Sequence, residues 1–580
     1  MMSSVATPLE PAAAPATVRR FELGTVLMWL LLIVIAVFTV TPAGVIVISA
    51  VRDNAPGREG TWTLQGLTSA VNDPVTWSIA WTTLWLALVR VAGALSVAVT
   101  LSWILARTNC PFRSQLEFLV VLSFFFPALG KLLTWTVLAS PQTGYLNQLI
   151  RLLPFVSLDR GPIDIYSYGG VIFASVIGIA PFLTVFMLPA FRAMDASLEE
   201  SAQVCGASPR RTLSSITFPL MRPAIMSAFI LALLLMLSSF ETEVFLGTQA
   251  GIFVFTNKIY QQLNEVVPAN YPAAFTLAFM LLMMALILVV INWRMVGNRS
   301  YTTVGGRSYS ARTIQLGVLR WPAFAIVATF LFLGLLLPVV VLIQSSFMRT
   351  AGVNLFSANG YTLDNWLTVL TLRLPQTALM NTLILCVASS TIGMLVASLV
   401  AYVCTRTQFR GRKALEVAAW LPWGMPSLVL GLGMLWAVLF SPMSALYGTL
   451  AILVIAHVIR SMPVKTRIMT STIVQIDKEL EESARVLGAS WPQAFRQIVL
   501  PLVKNGFVAG WIIGFVYSFG ELALVAFLTG PKSVVYSTLL FSFWQNGAVE
   551  RASVVAIIMT VIILGCVMLT RKLTRTELRS

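Results

Sequence analysis

Two polar stretches of the sequence decide how its fold is interpreted, because the second repeats the first. The first is Asp195-Ala-Ser-Leu-Glu-Glu200-Ser201-Ala202-Gln-Val-Cys-Gly206-Ala207-Ser208, followed by Ile216-Thr-Phe-Pro219. The second is Asp477-Lys-Glu-Leu-Glu-Glu482-Ser483-Ala484-Arg-Val-Leu-Gly488-Ala489-Ser490, followed by Ile498-Val-Leu-Pro501. Core packing does not require a polar pattern to recur at the same spacing, so the pair indicates a long internal repeat.

The repeat extends outward from these stretches over nearly the whole chain. Pro127 matches Pro426 at a displacement of 426 − 127 = 299 residues, and Pro181 matches Pro463 at 463 − 181 = 282 residues. The first copy therefore holds 299 − 282 = 17 extra residues between its two prolines. An outward loop containing Asp159 is the most economical place for them.

The chain around the repeated stretches is strongly apolar. Hydrophobic residues make up 57% of its 580 residues and charged residues only 11%, with a mean hydropathy of +0.84. Apolar stretches near the ~20 residues that cross a hydrocarbon core recur about twelve times, six in each copy. We therefore predict an all-α polytopic membrane protein of about 12 transmembrane helices in two tandem six-span units. An even number of spans gives both units the same orientation, around an axis along the membrane normal.

The net charge of +16 reflects the membrane and not nucleic acid. Lys and Arg residues lie in short segments between alternate spans, which is the positive-inside pattern. This pattern predicts a multi-pass protein with both termini in the cytoplasm and the lipid bilayer as its surroundings. The five cysteines have no Cys-x-x-Cys spacing, so neither a disulfide nor a metal site is predicted.

These features divide the chain into five parts. We predict a disordered cytoplasmic N-terminus at 1–23, a first unit at 24–292, a cytoplasmic linker at 293–319, a second unit at 320–571 and a cytoplasmic tail at 572–580. The linker is rich in Arg, Ser, Thr and Gly, which is typical of a connection between packed units.

Each repeated stretch predicts a short helix, a sharp turn and a second helix. Asp195 or Ser197 can cap the start of the first helix, and Gly206 stands where it must stop. A glycine there can adopt the left-handed conformation that ends a helix, and Ser208 can cap the next one. The second helix is expected to end near Pro219, just before the next span. The resulting elbow has no catalytic group and suits a contact role.

Both copies resemble the coupling loop of type I ABC importer permeases. The pattern of that family runs Glu-Ala-Ala, three residues, Gly, nine residues, Ile, one residue, Leu, Pro. Ser201 and Ser483 replace the first Ala, and Phe218 replaces the Leu in the first copy. The six-span unit of the family fits each half, so the resemblance covers nearly the whole chain. It implies coupling loops at 195–219 and 477–501, with contact residues Glu200, Ala202, Gly206, Pro219, Glu482, Ala484, Gly488 and Pro501.

The same resemblance implies partners and a location. Two loops imply two copies of a cytoplasmic ABC ATPase, and the family also uses an extracytoplasmic substrate-binding protein in the bacterial inner membrane. The sequence holds no Gly-x-x-x-x-Gly-Lys-Ser/Thr, and Gly530-Pro531-Lys532-Ser533 lacks the glycines of that pattern. The chain is therefore not expected to be an enzyme or to bind a cofactor, and ATP would bind to the partner ATPase.

Carboxylates beyond the two elbows are candidates for a substrate pathway. Three of them follow Pro219 or Pro501 by about twenty residues: Glu241, Glu243 and Glu521. Along a helix this spacing is roughly 30 Å, which places them near the outer end of the fifth span of each unit. Carboxylates at such depth tend to face a cavity, which suits a cationic substrate, but an outer-rim or inter-helix hydrogen-bonding role is equally open. Phe240 and Phe519 beside them are candidates for an apolar gate, with aromatic packing as the alternative.

Four further residues interrupt the apolar spans. Arg90 has Ser389 at the matching position in the other unit, and a partner on a neighbouring helix is expected. His457 is expected to pack at a helix end and not to carry protons or metal. Pro127 and Pro426 occupy equivalent depths and predict kinks, either in the pore or in simple packing.

The resemblance implies a permease whose substrate arrives on a binding protein. The long outward segment after Trp135, with Ser140-Pro141 and Gly144-Tyr145-Leu146-Asn147, looks most like the ferric iron type. Polyamine, thiamine, phosphonate and oxyanion permeases are the alternatives. A 12-span secondary transporter is the rival of a different class, but the Asp-Arg-x-Gly-Arg-Arg loop of the major facilitators is absent. A membrane-embedded enzyme would need a nucleophile with a base, and none stands out.

Overall fold

The computed structural model describes residues 23–53, 60–153, 160–296, 313–352, 360–488, 493, 497 and 500–577. Several sequence expectations fall outside this part of the chain: nearly all of 1–23, Asp159, the centre of the linker 293–319, Ala489, Ser490, Ile498 and the end of the tail.

The described chain is built from α-helices, and no β-strand lies within it. A helix satisfies its own backbone hydrogen bonds, which is what an apolar run needs in lipid. The helices of the first unit are α1 (Leu23–Ala50), α2 (Gln65–Asn72), α3 (Pro74–Arg107), α4 (Arg113–Phe125), α5 (Ala128–Ala139), α6 (Tyr145–Arg151), α7 (Tyr168–Arg192), α8 (Ala196–Val204), α9 (Pro209–Thr212), α10 (Phe218–Leu237), α11 (Phe255–Asn264) and α12 (Tyr271–Val296).

The second unit repeats this order. Its helices are α13 (Arg320–Leu331), α14 (Leu337–Ser346), α15 (Asp364–Thr371), α16 (Arg373–Arg406), α17 (Arg412–Trp420), α18 (Ser427–Leu439), α19 (Leu450–Val474), α20 (Lys478–Val486), α21 (Leu500–Gly520), α22 (Tyr536–Gln545) and α23 (Val549–Glu577). A π-helical turn joins α13 to α14 into one long span. Helices α12 and α23 continue past the predicted unit ends at 292 and 571.

The number of spans agrees with the predicted polytopic fold. Within the described residues, nine helices are long and apolar enough to cross a membrane, and two bent helix pairs raise the number to eleven. Helix α19 is a further 25-residue helix, at the position that α7 holds in the first unit, and its sequence contains the three basic residues Arg460, Lys465 and Arg467. It continues to Val474, so His457 lies inside this helix and not at its end.

The third span of each unit is broken and not merely kinked. Helices α4 and α5 meet at 92°, and the corresponding pair in the second unit, 412–424 and α18, meets at 113°. The breaks fall at Pro127 and Pro426, where proline removes an amide donor and its ring excludes the preceding helical turn. Every residue of α5 after Ala128 is buried. The second piece of the broken span therefore runs through the protein interior.

The two units exchange their first spans. Helix α1 of the first unit packs on α17 and α18 of the second, where the rings of Trp29 and Phe409 meet edge-on at 5.0 Å. In return, α13 and α14 pack on α4 and α5, and Thr134 Oγ1 donates to the carbonyl of Pro338 at 3.3 Å. The hydrophobic core is consequently continuous across both units.

The longest helices hold the same place in each unit. Helices α3 and α16 are both 34 residues long, and they pack on α7 and α19 respectively. Pro181 lies in α7 and its match Pro463 lies in α19. The internal repeat seen in the sequence is therefore a repeat of helix packing.

Candidate functional site

The first repeated stretch forms the predicted elbow between α7 and α10. Asp195 caps α8, because its Oδ1 accepts a hydrogen bond from the amide of Ser197 at 2.8 Å. This hydrogen bond favours the charged carboxylate and so lowers the pKa of Asp195 from its ordinary value. At the other end Gly206 has a φ of 87°, and the amide of Ala207 donates to the carbonyl of Ala202 at 2.9 Å. Such a bond across a left-handed glycine closes a helix, as the sequence predicted.

The second repeated stretch begins and ends its first helix in the same way. Asp477 Oδ1 accepts from the amide of Glu479 at 3.3 Å, and Gly488 has a φ of 91°. Helices α8 and α20 both contain nine residues. The two elbows therefore share the same cap and the same turn.

The second helix of the first elbow does not end near Pro219, so that sequence expectation was wrong. Helix α9 passes through a π-helical segment, Leu213–Thr217, directly into α10. In this wider turn the amide of Phe218 donates to the carbonyl of Leu213. Proline has no amide to donate and its ring crowds the preceding turn, and a π-helical turn accommodates both features. The elbow is thus continuous with α10.

The residues assigned to partner contact are placed along both elbows. Glu200 falls within α8 and Glu482 within α20, while Ala202 and Ala484 are half-buried on the same helices. The sequence sets Pro219 and Pro501 in the first turns of α10 and α21. Gly206 and Gly488 are exposed.

Both elbows also expose apolar side chains that the sequence argument overlooked. Val204 is 88% exposed at the end of α8, and Val486 and Leu487 are 87% and 88% exposed at the end of α20. Val204 and Val486 are matched positions two residues before the left-handed glycines, and Leu487 matches the exposed Cys205. Apolar side chains exposed together on a polar segment are typical of a contact surface. The signal in the sequence was an apolar residue preceding each turn.

Glu241 and Glu521 come together where the two units meet. The two carboxylates interact electrostatically, and Glu241 Oε1 accepts from the amide of Ala523, in the other unit, at 3.4 Å. Glu521 Oε1 accepts from the amide of Leu524 at 3.3 Å. Arg460 interacts electrostatically with both carboxylates. Each unit thus contributes one half-buried carboxylate to a shared place, with one cation nearby.

Glu243 has a different position from the other two glutamates. It forms a buried ion pair with Arg90 of α3, and its Oε2 accepts from Ser239 Oγ at 2.7 Å. Arg90 thus has the partner on a neighbouring segment that the sequence led us to expect. In the second unit Ser389 stands in its place, with its Oγ 3.2 Å from Ser518 Oγ. The first unit thus ties α3 to the segment that follows α10 by an ion pair, and the second unit ties α16 to α21 by a neutral contact.

Phe240 and Phe519 lie in the hydrophobic core. Both side chains are fully buried, and the ring of Phe240 packs 5.4 Å from that of Tyr260. The ring of Phe519 packs 5.8 Å from that of Phe515. The structure thus shows both rings in aromatic packing, which was the alternative to a gate.

A buried cation donates hydrogen bonds to backbone carbonyls at the break in the third span of each unit, and the sequence argument identified neither cation. Lys131 Nζ donates to the carbonyl of Ser123 at 2.7 Å, across the break in the first unit. In the second unit Arg460 Nη1 donates to the carbonyls of Pro422 and Met425 at 3.0 and 3.3 Å. Carbonyls at a helix C-terminus carry partial negative charge and lack intrahelical partners. A lone cation inside an apolar run was the available signal.

The chain belongs to the family described as binding-protein-dependent transport system inner membrane components. The family model matches residues 98–296 and 389–571. Each match falls in a different unit and contains one elbow, which confirms two tandem units of this class. The chain is accordingly a multi-pass membrane protein of a family of inner-membrane transport components.

Curated relatives fall among transport permeases. One is the ferric transport system permease protein FbpB of Actinobacillus pleuropneumoniae, 25% identical over 413 residues, which are 69% of this chain and 58% of that protein. Another is the putative ferric transport system permease protein FbpB 1 of Haemophilus influenzae, 28% identical over 64% of this chain and 58% of that protein. The matched part of the chain thus spans somewhat more than half the length of these two relatives.

Shorter relatives and a solved structure also match. The spermidine/putrescine transport system permease protein PotC of Escherichia coli K12 is 27% identical over 43% of this chain and 92% of that protein. A bacterial ABC transporter involved in the import of the acidic polysaccharide alginate matches with a TM-score of 0.37 and 20% identity, over 44% of this chain and 96% of that chain.

Proposed function

We propose that the chain forms the membrane pathway of an ATP-binding-cassette importer. The observation that carries the proposal is the pair of elbows, each with the same aspartate cap and the same left-handed glycine, in a chain of the inner-membrane transport family. Each elbow docks one cytoplasmic ATPase subunit, so one chain binds two. ATP is bound and hydrolysed on those subunits, and the chain itself holds no cofactor.

The exposed apolar residues support this contact role. Val204, Val486 and Leu487 present apolar surface beside the turns, where an ATPase groove would remove it from water. Because the first elbow continues without interruption into α10, closure of the ATPase dimer moves that span as well as the elbow. The basic segments between spans support a cytoplasmic location for the elbows and both termini.

The pathway runs between the two units, past Glu241 and Glu521. On the side of the chain opposite the elbows, a cavity of about 420 Å³ opens between the units, lined by Thr136, Tyr166, Gln249, Trp544 and Gln545 among others. An extracytoplasmic binding protein delivers the substrate at this side. The substrate then meets the paired carboxylates where the units face each other.

Ferric iron is the substrate that we propose. Two ferric transport permeases are among the relatives, and carboxylate oxygens are hard ligands that suit a highly charged cation. A polyamine is the second candidate, because PotC also matches and the same carboxylates would pair with its ammonium groups. Thiamine, phosphonate and oxyanions remain alternatives for the same machinery.

Reconstitution in proteoliposomes tests the proposal. The chain is combined with its ATPase and binding protein, and uptake of ⁵⁵Fe(III) is followed with and without ATP, with putrescine and thiamine as competitors. ATP-dependent iron uptake that requires the binding protein is the expected result. Uptake driven by an ion gradient without ATP would favour the secondary transporter, and ATP-dependent uptake of putrescine in place of iron would correct the substrate alone.

A further inference from the structure

A buried cluster of three side chains joins the first elbow to two long helices. Glu199 of α8 forms an ion pair with Arg107 at the end of α3. Its Oε1 also accepts a hydrogen bond from Thr217 Oγ1 at 2.6 Å, at the entry to α10. Arg107, Glu199 and Thr217 are exposed by only 0%, 4% and 1%. We refer to these three residues as the Glu199 cluster.

Helix α8 has little else to hold it in place. Among its side chains that the structure describes, Glu199 is the one that is buried, while Ser197, Leu198 and Val204 are exposed. Of the apolar side chains of α8 that the structure describes, Ala202 is half-buried and Leu198 and Val204 are exposed, so these three contribute little packing to the attachment of the helix. The attachment is a desolvated ion pair, which is far harder to break than a pair on the surface.

The arginine makes the same backbone contact in both units. Arg107 Nη1 donates to the carbonyl of Met194 at 3.3 Å, and Arg406 Nη2 donates to the carbonyl of Ile476. Met194 and Ile476 are matched positions, since 476 − 194 = 282. Each carbonyl directly precedes the aspartate that caps an elbow. The repeated arginine thus holds the point where each elbow begins.

Helix α3 connects this cluster to the paired carboxylates. Arg90 lies on the same helix as Arg107, roughly 25 Å away at 1.5 Å per residue, and forms the buried ion pair with Glu243. Glu243 follows Glu241 by two residues. Two buried ion pairs therefore hold α3: one joins it to α8 in the elbow, and the other joins it to the segment that follows α10, near the proposed pathway. The hydrogen bond from Thr217 to Glu199 extends the first of these to the entry of α10.

The geometry points to Arg107 and Glu199 as positioning residues that transmit movement of the elbow to α3 and α10. This inference rests on the proposed function, in which an ATPase moves the elbow. Without the cluster, the ATPase still docks on the exposed part of α8, but α8 moves without carrying the two long helices with it. ATP hydrolysis and transport then lose their coupling.

A double substitution separates transmission from simple stability. Arg107→Met alone leaves Glu199 buried without its cation, and this variant is expected to fold poorly. Arg107→Met combined with Glu199→Leu removes both charges and keeps similar side-chain volume, so folding is expected to recover. Glu200→Gln is the matched control, because the sequence assigns the neighbouring glutamate to ATPase contact.

The experiment compares these variants with the unaltered chain in complex with its ATPase and binding protein. Melting temperature, ATPase retained on the purified chain and substrate molecules imported per ATP are measured. We expect the double variant to melt near the unaltered chain and retain its ATPase, but to import roughly tenfold less per ATP, within the usual range of coupling between sites. Glu200→Gln should instead reduce ATPase retention.

Two results would overturn the inference. Import per ATP by the double variant at the level of the unaltered chain would show that the cluster only stabilises the fold. Loss of the ATPase from the double variant would show that the cluster serves docking. Failure of the proposed function has a different signature, because the unaltered chain itself would then retain no ATPase.

Discussion

The buried pair of Arg90 and Glu243 gives the sharpest test of how this fold is held together. Both residues are 1% exposed, and among the described residues Ser239 is the one further side chain that hydrogen-bonds to the Glu243 carboxylate. Arg90→Met leaves a buried carboxylate without its cation. Glu243→Leu leaves a buried guanidinium without its anion. Each single substitution should lower the free energy of unfolding by about 3–5 kcal/mol, because an uncompensated charge remains in the interior.

The double substitution should behave differently. Nε and Nη2 of Arg90 find no hydrogen-bond acceptor within the described part of the chain, so the pair is itself costly to bury. Replacing both residues with apolar side chains of similar volume should change the free energy of unfolding by about 1 kcal/mol or less. The second unit already uses a neutral contact here, between Ser389 and Ser518. The coupling energy between the two sites, which is the sum of the two single costs less the cost of the double substitution, should therefore be about 5 kcal/mol or more.

Unfolding in bicelles by a denaturing detergent, followed by tryptophan fluorescence, measures these differences. Ser389→Ala is the matched control in α16, and it should cost far less than either charge removal because it removes only neutral hydrogen bonds, to Ser518 Oγ and to the carbonyl of Cys386. A single substitution as stable as the unaltered chain would refute the reasoning. A double substitution that costs the sum of the two singles would refute it as well.

Three further predictions concern the elbows and the carboxylates. Gly206→Pro combined with Gly488→Pro forces φ near −65° where the structure has 87° and 91°, so the turn of each elbow should be lost. The chain should remain a folded, monodisperse membrane protein but should no longer stimulate its ATPase, and retained transport would contradict this. Glu241→Gln or Glu521→Gln should slow uptake of a cationic substrate in proteoliposomes, while the amount of ATPase retained on the chain stays the same. Unchanged uptake would indicate that both residues serve packing and not the pathway. Asp195→Ala should increase the rate of amide hydrogen exchange in α8, whereas Asp195→Asn should preserve the cap and leave this rate unchanged. Because the folded pKa of Asp195 lies below its ordinary 3.8, the cap stabilises above that pH and is lost as pH falls through the lowered value, a dependence that Asp195→Asn should remove.

The elbows could be predicted because their turns depend on local backbone chemistry. A left-handed residue after a short helix favours glycine whatever surrounds it, and Gly206 and Gly488 both have the expected positive φ. The bends at Pro127 and Pro426 were foreseen for the same reason, since proline acts on its own helix. The continuity of α9 with α10 was not predicted, because π-helical turns are rare and no sequence pattern here indicated one.

Contacts between distant residues were beyond a single sequence. Arg90 and Glu243 are 153 residues apart, so the sequence indicated a partner without identifying it. Glu199 and Glu200 are neighbours in one helix, and successive residues of an α-helix are rotated by roughly 100° about its axis. The burial of Glu199 against Arg107 depends on where the end of α3 lies, and the sequence argument assigned only Glu200. The exchange of first spans likewise follows from packing between units.

The stoichiometry of the complex tests the central claim most directly. The tagged chain is purified in mild detergent with the proteins expressed beside it, and native mass spectrometry gives the mass of the assembly. Two elbows of the same geometry predict one chain with two ATPase subunits, and loss of both subunits in the Gly206→Pro and Gly488→Pro variant. A chain that purifies without any ATPase while transporting substrate in the absence of ATP would contradict the account.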